Sequence, residues 1–583
     1  MVEEPAGKTY LFIEVGHVLT HAAYVASVED TARLVALGQA STTSTAASAA
    51  LLDGVRRATA NLELLIGRQL LDSTGELRRP TDSDGHGVDA AVLTTSLAPP
   101  LRVALVGLTR DFSLASAIRA VTVPYITLTR TVCLETSSRR WETDDLQALV
   151  EDPPDVLILV GGIDGGPVAP IRDMGETLSA ASSVLPEKSR PAVIFAGNER
   201  AHRPLMAALA GVADLRLVGN VRPSTRTENL GDLRSELARL FYSREISQPA
   251  GLRALAQWGG TNVMYDLDAL ARTLRFAARR FAIERGVLGV DVGGSGTRLL
   301  HVQAQGAALT WAAPYGTGTG LGALRGLGDP LAVIRWLHHP LSWAEVWDRL
   351  SNAEVRPAGV PQSEEDWDLQ QASAREAVCR SWAGARTAWA AYSGHGREPG
   401  VDMVVGRGTV LTHARTPGQA ALILIDALEP WGLLRLSLDW ANLLPGLTGL
   451  AQLHAMAAVQ AFDHDGLLEL GTLVAPRGPA RAGSPALKAR LVVRDETRSE
   501  LTVPSGSVRR LPLGTNERGR LELELLGKMD LRLKPDARRG AVEVRGGALG
   551  VIIDARGRPL VLPTAEADRR QLLETWQQEI DQA

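Results

Sequence analysis

Leu288 to Val302, LGVDVGGSGTRLLHV, is the stretch whose reading decides the fold. It is apolar as far as Val290, breaks into Asp291-Val292-Gly293-Gly294-Ser295-Gly296-Thr297, and becomes apolar again after Arg298. That pattern predicts a tight β-hairpin. Glycines in the turn let backbone N–H groups approach a phosphate with no Cβ in the way, and Thr297 adds a hydroxyl. Asp291, at the end of the first strand, can hold Mg²⁺ through water. No Lys-Ser/Thr follows and the chain continues as strand, so this is neither a Walker P-loop nor a dinucleotide fingerprint.

A similar outline opens the chain. Tyr10 to Val18, YLFIEVGHV, is an apolar run ending at Gly16, with Glu14 where Asp291 stands in the later copy. A helical pattern follows, with Leu51, Val55, Leu62, Leu65 and Ile66 on one face, and then a polar glycine-bearing loop from Leu71 to Asp89. Short apolar runs at Leu101, Asp155 and Pro191 end in glycine and alternate with helical stretches, which is α/β organisation. The second hairpin opens another such unit, continuing through the alternate glycines Gly316, Gly318, Gly320 and Gly322, read as a loop. Capping boxes follow at Ser342/Glu345 and Ser363/Asp366. Val401 to Ala414 and Ala421 to Pro430 read as buried strands, and the segments after about Leu487 as a small all-β domain closed by an amphipathic helix bearing Leu572, Trp576 and Ile580.

The order of hairpin, α/β segment and glycine-ended strand thus occurs twice, at Ile13, Gly161 and Gly162 and again at Asp291, Gly406 and Gly408. It predicts two related lobes facing one cleft that suits a nucleotide. The expected divisions are a first lobe over 1–250, a helical connection over 251–286, a second lobe over 287–484 and a C-terminal β domain over 485–583.

A chain of 583 residues exceeds a single core. A net charge of −4 offers no basic footprint, so nucleic acid is not an expected partner. Cys133 and Cys379 lack the spacing of a disulfide framework or a zinc site, which fits a reducing cytoplasm. MVEEPAGKTY carries no apolar core of a signal peptide, and no apolar run is long enough for a membrane span. Adjacent His338 and His339, and Asp463-His464-Asp465, point apart on regular structure and read as surface groups, not metal ligands. Arg556 and Arg558 read as part of a turn between strands.

Longer motifs go further. LILVGGIDGG with VIFAGN, NVRPSTRTENLGDLRSELARLF, LGVDVGGSGT, RPAGVPQSEED, GTVLTHARTPGQAALILIDALEPWG and LGVIIDARGRPLVLP together resemble the MutL (GlmL) family, the glutamate mutase accessory group, unrelated to the mismatch-repair protein of that name. The resemblance spans about Tyr10 to Trp576. It implies an actin-like (ribonuclease H-like) fold of two lobes around a cleft, and an ATP-binding accessory or reactivation role beside an adenosylcobalamin-dependent mutase. On that reading Asp291 and Glu14 are the catalytic and Mg²⁺-positioning acids. Gly16, Thr20, Gly293, Gly294, Gly296 and Thr297 contact phosphates, and Gly406 and Gly408 border the nucleoside. A mutase subunit is the expected partner, and a homo-oligomer is compatible.

Departures from the family pattern D-x-G-S-T-x-T-K are concentrated in EVGHVLTH. Glu14 replaces the acid, His17 the serine and His21 the lysine, while Arg298 and Thr409 replace a frequent acid and a glycine in the second lobe. They predict weak ATP hydrolysis at most. The alternative reading is a degenerate actin-like scaffold without turnover. A small-molecule kinase would need a base such as Asp164, whose GGIDGG setting equally suits a turn.

Overall fold

The computed structural model describes residues 8–43, 48–98, 100–134, 143–243, 250–306, 308–329, 331–392, 398–478, 483–526, 529–531 and 538–582. The first seven residues of the amino-terminal segment read above therefore lie outside it.

The chain opens with three antiparallel strands, β1 (Thr9–Val15), β2 (Leu19–Val28) and β3 (Thr31–Ser41). Helix Ser48–Ile66 packs on them through Leu51, Val55 and Leu62; Leu65, expected on that face, is exposed. Strand β4 (Ala90–Thr95) then runs parallel to β1.

Residues 98–249 fold as a unit of their own. Its strands β5 (Leu101–Gly107), β6 (Ile126–Cys133), β7 (Val156–Val160), β8 (Ala192–Phe195) and β9 (Leu215–Leu217) are all parallel, in the order β6-β5-β7-β8-β9. Its core includes Val106, Leu157, Leu159, Val193 and Phe195. The chain returns with β10 (Val263–Tyr265), parallel to β4, and completes a sheet of order β10-β4-β1-β2-β3. The stretch 1–250 is therefore not one lobe. The glycine-ended apolar strands at Leu101, Asp155 and Pro191 pair with one another, and the first lobe takes its fifth strand from beyond them.

The second lobe repeats the first. Strands β11 (Val287–Val292), β12 (Thr297–Val302), β13 (Leu309–Ala313), β14 (Met403–Arg407) and β15 (Gly432–Leu438) lie in the order β13-β12-β11-β14-β15. In both sheets the first strand pairs antiparallel with the second and parallel with the fourth. This duplicated arrangement is the actin-like, ribonuclease H-like fold.

Strands β16 (Leu468–Ala475), β17 (Pro485–Val493), β18 (Glu496–Pro504), β19 (Val508–Leu511), β20 (Arg518–Leu525), β21 (Arg539–Arg545) and β22 (Val551–Asp554) follow. Four of them form the antiparallel C-terminal sheet β18-β17-β20-β21. The other three extend the second lobe's sheet as β15-β16-β22-β19. One core, including Leu491, Leu523, Val474 and Ile553, joins the two sheets.

Two local expectations change. Ala421 to Pro430 is not a strand: Pro417–Leu428 is a helix, with Pro417 in its first turn and Thr416 Oγ1 accepting from Gln419 N at 3.2 Å. Ala420 through Leu428 are all buried, so no polar face reveals the helical period. Helix Glu566–Asp581 turns Leu573, not Leu572, inward beside Trp576 and Ile580.

Arg556 and Arg558 belong to a buried ion network. Asp554 accepts from both, Arg556 Nη1 lies 2.7 Å from Asp426 Oδ1, and Arg375 Nε donates to Asp426 Oδ2 at 3.0 Å. These five side chains bind the turn after β22 to two helices of the second lobe.

The lobes meet through helices Asp266–Arg280 and Leu444–Leu453, each following the fifth strand of its sheet. Thr273 Oγ1 donates to Leu444 O and Thr448 Oγ1 to Ala269 O, both at 2.7 Å. The two hydroxyls are 2.9 Å apart, and the contact is reciprocal.

Candidate functional site

The duplication brings equivalent positions of the two lobes together. Glu14 and Asp291 each stand on a first strand, two residues before the first glycine of their turn, Gly16 or Gly293. The turns touch: a Cβ added to Gly294 would lie 2.5 Å from Val18 Cγ2. His17 is exposed, and its Nδ1 lies 3.1 Å from Ser96 Oγ. Behind the second turn, the amides of Thr317, Gly318 and Gly320 donate to Gly293 O and Gly294 O. The alternate glycines thus support the hairpin from beneath, and a Cβ on Gly316 would meet Gly294 O at 2.6 Å.

Hairpin register places Asp291 opposite Arg298, and the parallel pairing with β14 places it beside Arg407. Asp266, at the start of its helix, and Asp439, just after β15, complete a cluster of four carboxylates and two guanidiniums. Arg298 joins Asp291 to Asp266: it pairs with Asp291 Oδ2 through Nη2, and its Nη1 donates to Asp266 Oδ1 at 2.9 Å. Arg407 reaches across the lobes, donating from Nη2 to Glu14 Oε1 at 2.5 Å. Its Nε lies 3.6 Å from Asp439 Oδ2 and 4.0 Å from Asp291 Oδ1. Arg407 is only 3% exposed, yet among the described residues its Nη1 has no hydrogen-bond partner, and neither has Glu14 Oε2.

Four acids facing two arginines leave a surplus of negative charge in a buried place. Burial pushes the Glu14 carboxyl up to about 7 against the lowering pull of Arg407, with Asp266, Asp291 and Asp439 adding to the rise. Burial likewise raises Asp439 to about 6, although Arg407 and the amides of Leu443 and Leu444 oppose it. Asp291 behaves differently: burial works to raise it, but Arg298 and Arg407 hold it below the ordinary carboxylate range. His21, opposite Glu14 in the first hairpin, is pushed down to about 4 by burial and by Arg407, so it is neutral at pH 7.

Several sequence-derived positions have other work in the structure. Thr20 Oγ1 is 2.9 Å from Thr42 Oγ1, just after β3, and Thr297 Oγ1 donates to Tyr315 O at 2.8 Å, so both hydroxyls hold turns in place. Gly406 is enclosed by Leu411, Leu424 and Leu438, and a Cβ on Gly408, at φ +103°, would meet Val292 O at 2.2 Å. Close packing therefore accounts for both glycines. Gly296 likewise sits against Ala313 O, and Gly16 closes its turn with N donating to Leu19 O at 2.9 Å.

Gly161, Gly162 and Asp164 lie in the 98–249 unit, where Asp164 Oδ1 accepts from Asn220 Nδ2 at 2.9 Å. The first-lobe counterpart of β14 is β4, not the strand ending at Gly161. His338 and His339, expected to point apart, converge on one carboxylate: their Nδ1 atoms are 2.8 and 3.2 Å from Asp368 oxygens. Asp463 pairs with Arg280 and Asp465 with Arg33.

The residues do not fit Mg²⁺. The ion requires oxygen ligands at about 2.0–2.1 Å in octahedral array, whereas Glu14 and Asp291 are both engaged by guanidiniums. Among the described residues, no group of three or more His, Cys, Asp or Glu side chains is arranged to hold a metal ion. The unpartnered Arg407 Nη1 fits an anion instead.

Arg407, Asp266 and Asp439 were missed in the sequence because each is a lone charge at the end of an apolar strand or the start of a helix.

No helix among the described residues is long and apolar enough to cross a membrane. No curated protein matches the chain. Among solved structures it is similar to a nucleotide-free acetone carboxylase, at 10% identity and TM-score 0.31, over 86% of this chain and 81% of that one. It is also similar to a glycerol dehydratase reactivase, at 12% identity and TM-score 0.27, over 72% of this chain and 95% of that one. A third is component A of the Acidaminococcus fermentans (R)-2-hydroxyglutaryl-CoA dehydratase, at 10% identity and TM-score 0.24, over 78% and 99%. A family model described as MutL protein matches residues 10–465, and the chain belongs to that family.

Proposed function

We propose that this chain is an actin-like accessory protein of an adenosylcobalamin-dependent mutase, in which an adenine nucleotide entering between the two hairpins changes the relation of the lobes. The observation that carries this reading is the meeting of the two equivalent turns, Val18 against Gly294, above the interlobe pair of Glu14 and Arg407. A phosphate tail entering there separates the turns and draws Arg407 from Glu14, so nucleotide and contact compete. Such competition shifts a population only because the ligand favours one state. Turn backbone at Gly16, Gly293, Gly294 and Gly296 is the phosphate-facing surface, with Thr20 and Thr297 holding the turns. The opened state is the one that engages the mutase and frees damaged cobalamin in the cytoplasm.

Hydrolysis is not part of this reading, because an acid tied to arginine is a poor base for water. Calorimetric titration with ATP and ADP tests it: saturable binding is expected, phosphate release is not, and no binding at millimolar nucleotide removes the proposal. The second reading, a scaffold without nucleotide, is favoured by the commitment of both threonine hydroxyls to protein partners. Stable co-purification with a mutase subunit in the absence of nucleotide binding supports it.

A further inference from the structure

We propose that the guanidinium of Arg407 stands in for a divalent cation, so that the cleft takes no metal and any nucleoside polyphosphate it holds is bound metal-free. Arg407 lies among Glu14, Asp291 and Asp439, carboxylates drawn from both lobes toward one point. Those acids, one from each first strand and one from the end of β15, are the oxygen donors a divalent ion would use. A fixed positive charge already occupies the place between them.

A metal entering beside Arg407 meets repulsion at a few ångströms in a buried site, and it must compete for oxygens already paired. The guanidinium also retains a donor, Nη1, with no hydrogen-bond partner among the described residues. It can therefore bind a phosphate oxygen directly, a contact a metal would otherwise mediate. Arg298 likewise sits between Asp291 of the second lobe and Asp266 of the first, leaving neither of those acids unengaged. The nucleotide clause rests on the proposed function; the metal clause does not.

The test titrates Mn²⁺ alone into the full-length chain and follows loss of the free-ion electron paramagnetic resonance signal. Wild type is expected to show no tight site, while Arg407→Ala, in which Glu14 and Asp439 lose their counter-charge beside Asp291, gains one and melts higher when Mn²⁺ is added. Arg407→Lys keeps a charge in place and is expected to gain none, which keeps the comparison decisive if the alanine variant does not fold. A tight Mn²⁺ site in wild type that Asp291→Asn abolishes overturns the proposal. ADP affinity is expected to agree within about twofold between EDTA and excess Mg²⁺, and a tenfold loss in EDTA also overturns it. Failure to bind nucleotide under either condition defeats the proposed function, and the Mn²⁺ measurements then decide the role of Arg407 alone.

Discussion

The two hairpins share a backbone and differ in charge. In the first, Glu14 stands opposite His21 on β2 and beside Thr94 on β4; in the second, the same positions relative to Asp291 are Arg298 and Arg407. Duplication therefore supplied the acids to both lobes, but both cations come from the second. The first lobe brings an acid with a neutral histidine and a hydroxyl, and it depends on its neighbour for neutralisation. Equivalent geometry does not imply equivalent electrostatics, and the asymmetry gives the contact between lobes its direction.

The largest expected effect comes from breaking that dependence. Arg407→Ala leaves Glu14 and Asp439 without their cation and should cost about 3–5 kcal/mol in denaturant unfolding. The matched change in the first lobe, Thr94→Val, removes only a long hydroxyl contact to Ile13 O at 3.5 Å and should stay within about 1 kcal/mol. Equal losses at the two positions would end the comparison.

Next comes Gly294→Val, which drives a side chain into Val18 and should cost about 1–3 kcal/mol by overpacking. Val18→Ala in the same chain should recover most of it, and a double-mutant cycle measures the contact between turns. Smaller still is Thr448→Val, which removes one half of the reciprocal helix contact and should cost about 1 kcal/mol in the same unfolding assay.

The pH dependence sharpens the comparison with the least perturbation. Because Glu14 is raised from 4.5 to about 7, the folded chain holds a proton the unfolded chain has released. Its contribution to stability is present at low pH and is lost as pH rises through about 7. His21, lowered from 6.5 to about 4, acts oppositely but only below 6.5. Melting temperature should therefore fall from pH 6.5 to 8, and Glu14→Gln should flatten that slope.

The duplication itself was legible because an acid, a glycine turn and an apolar return strand form a local pattern. The inserted 98–249 unit was not, because its apolar glycine-ended strands read the same whether they join the lobe's sheet or one another. Pro417–Leu428 was hidden for a related reason, since burial on every side erases the period that separates helix from strand. The role of Arg407 depends on which strands are neighbours across 393 residues of sequence separation, a fact no local pattern carries.

Strands β16, β22 and β19 run on from the second lobe's sheet, and the buried Asp554–Arg556–Asp426 network clamps the turn beyond them to that lobe's helices. The terminal antiparallel sheet shares the same core. In the opening proposed above, it would be carried along with the second lobe as one piece, like the arm of a crane.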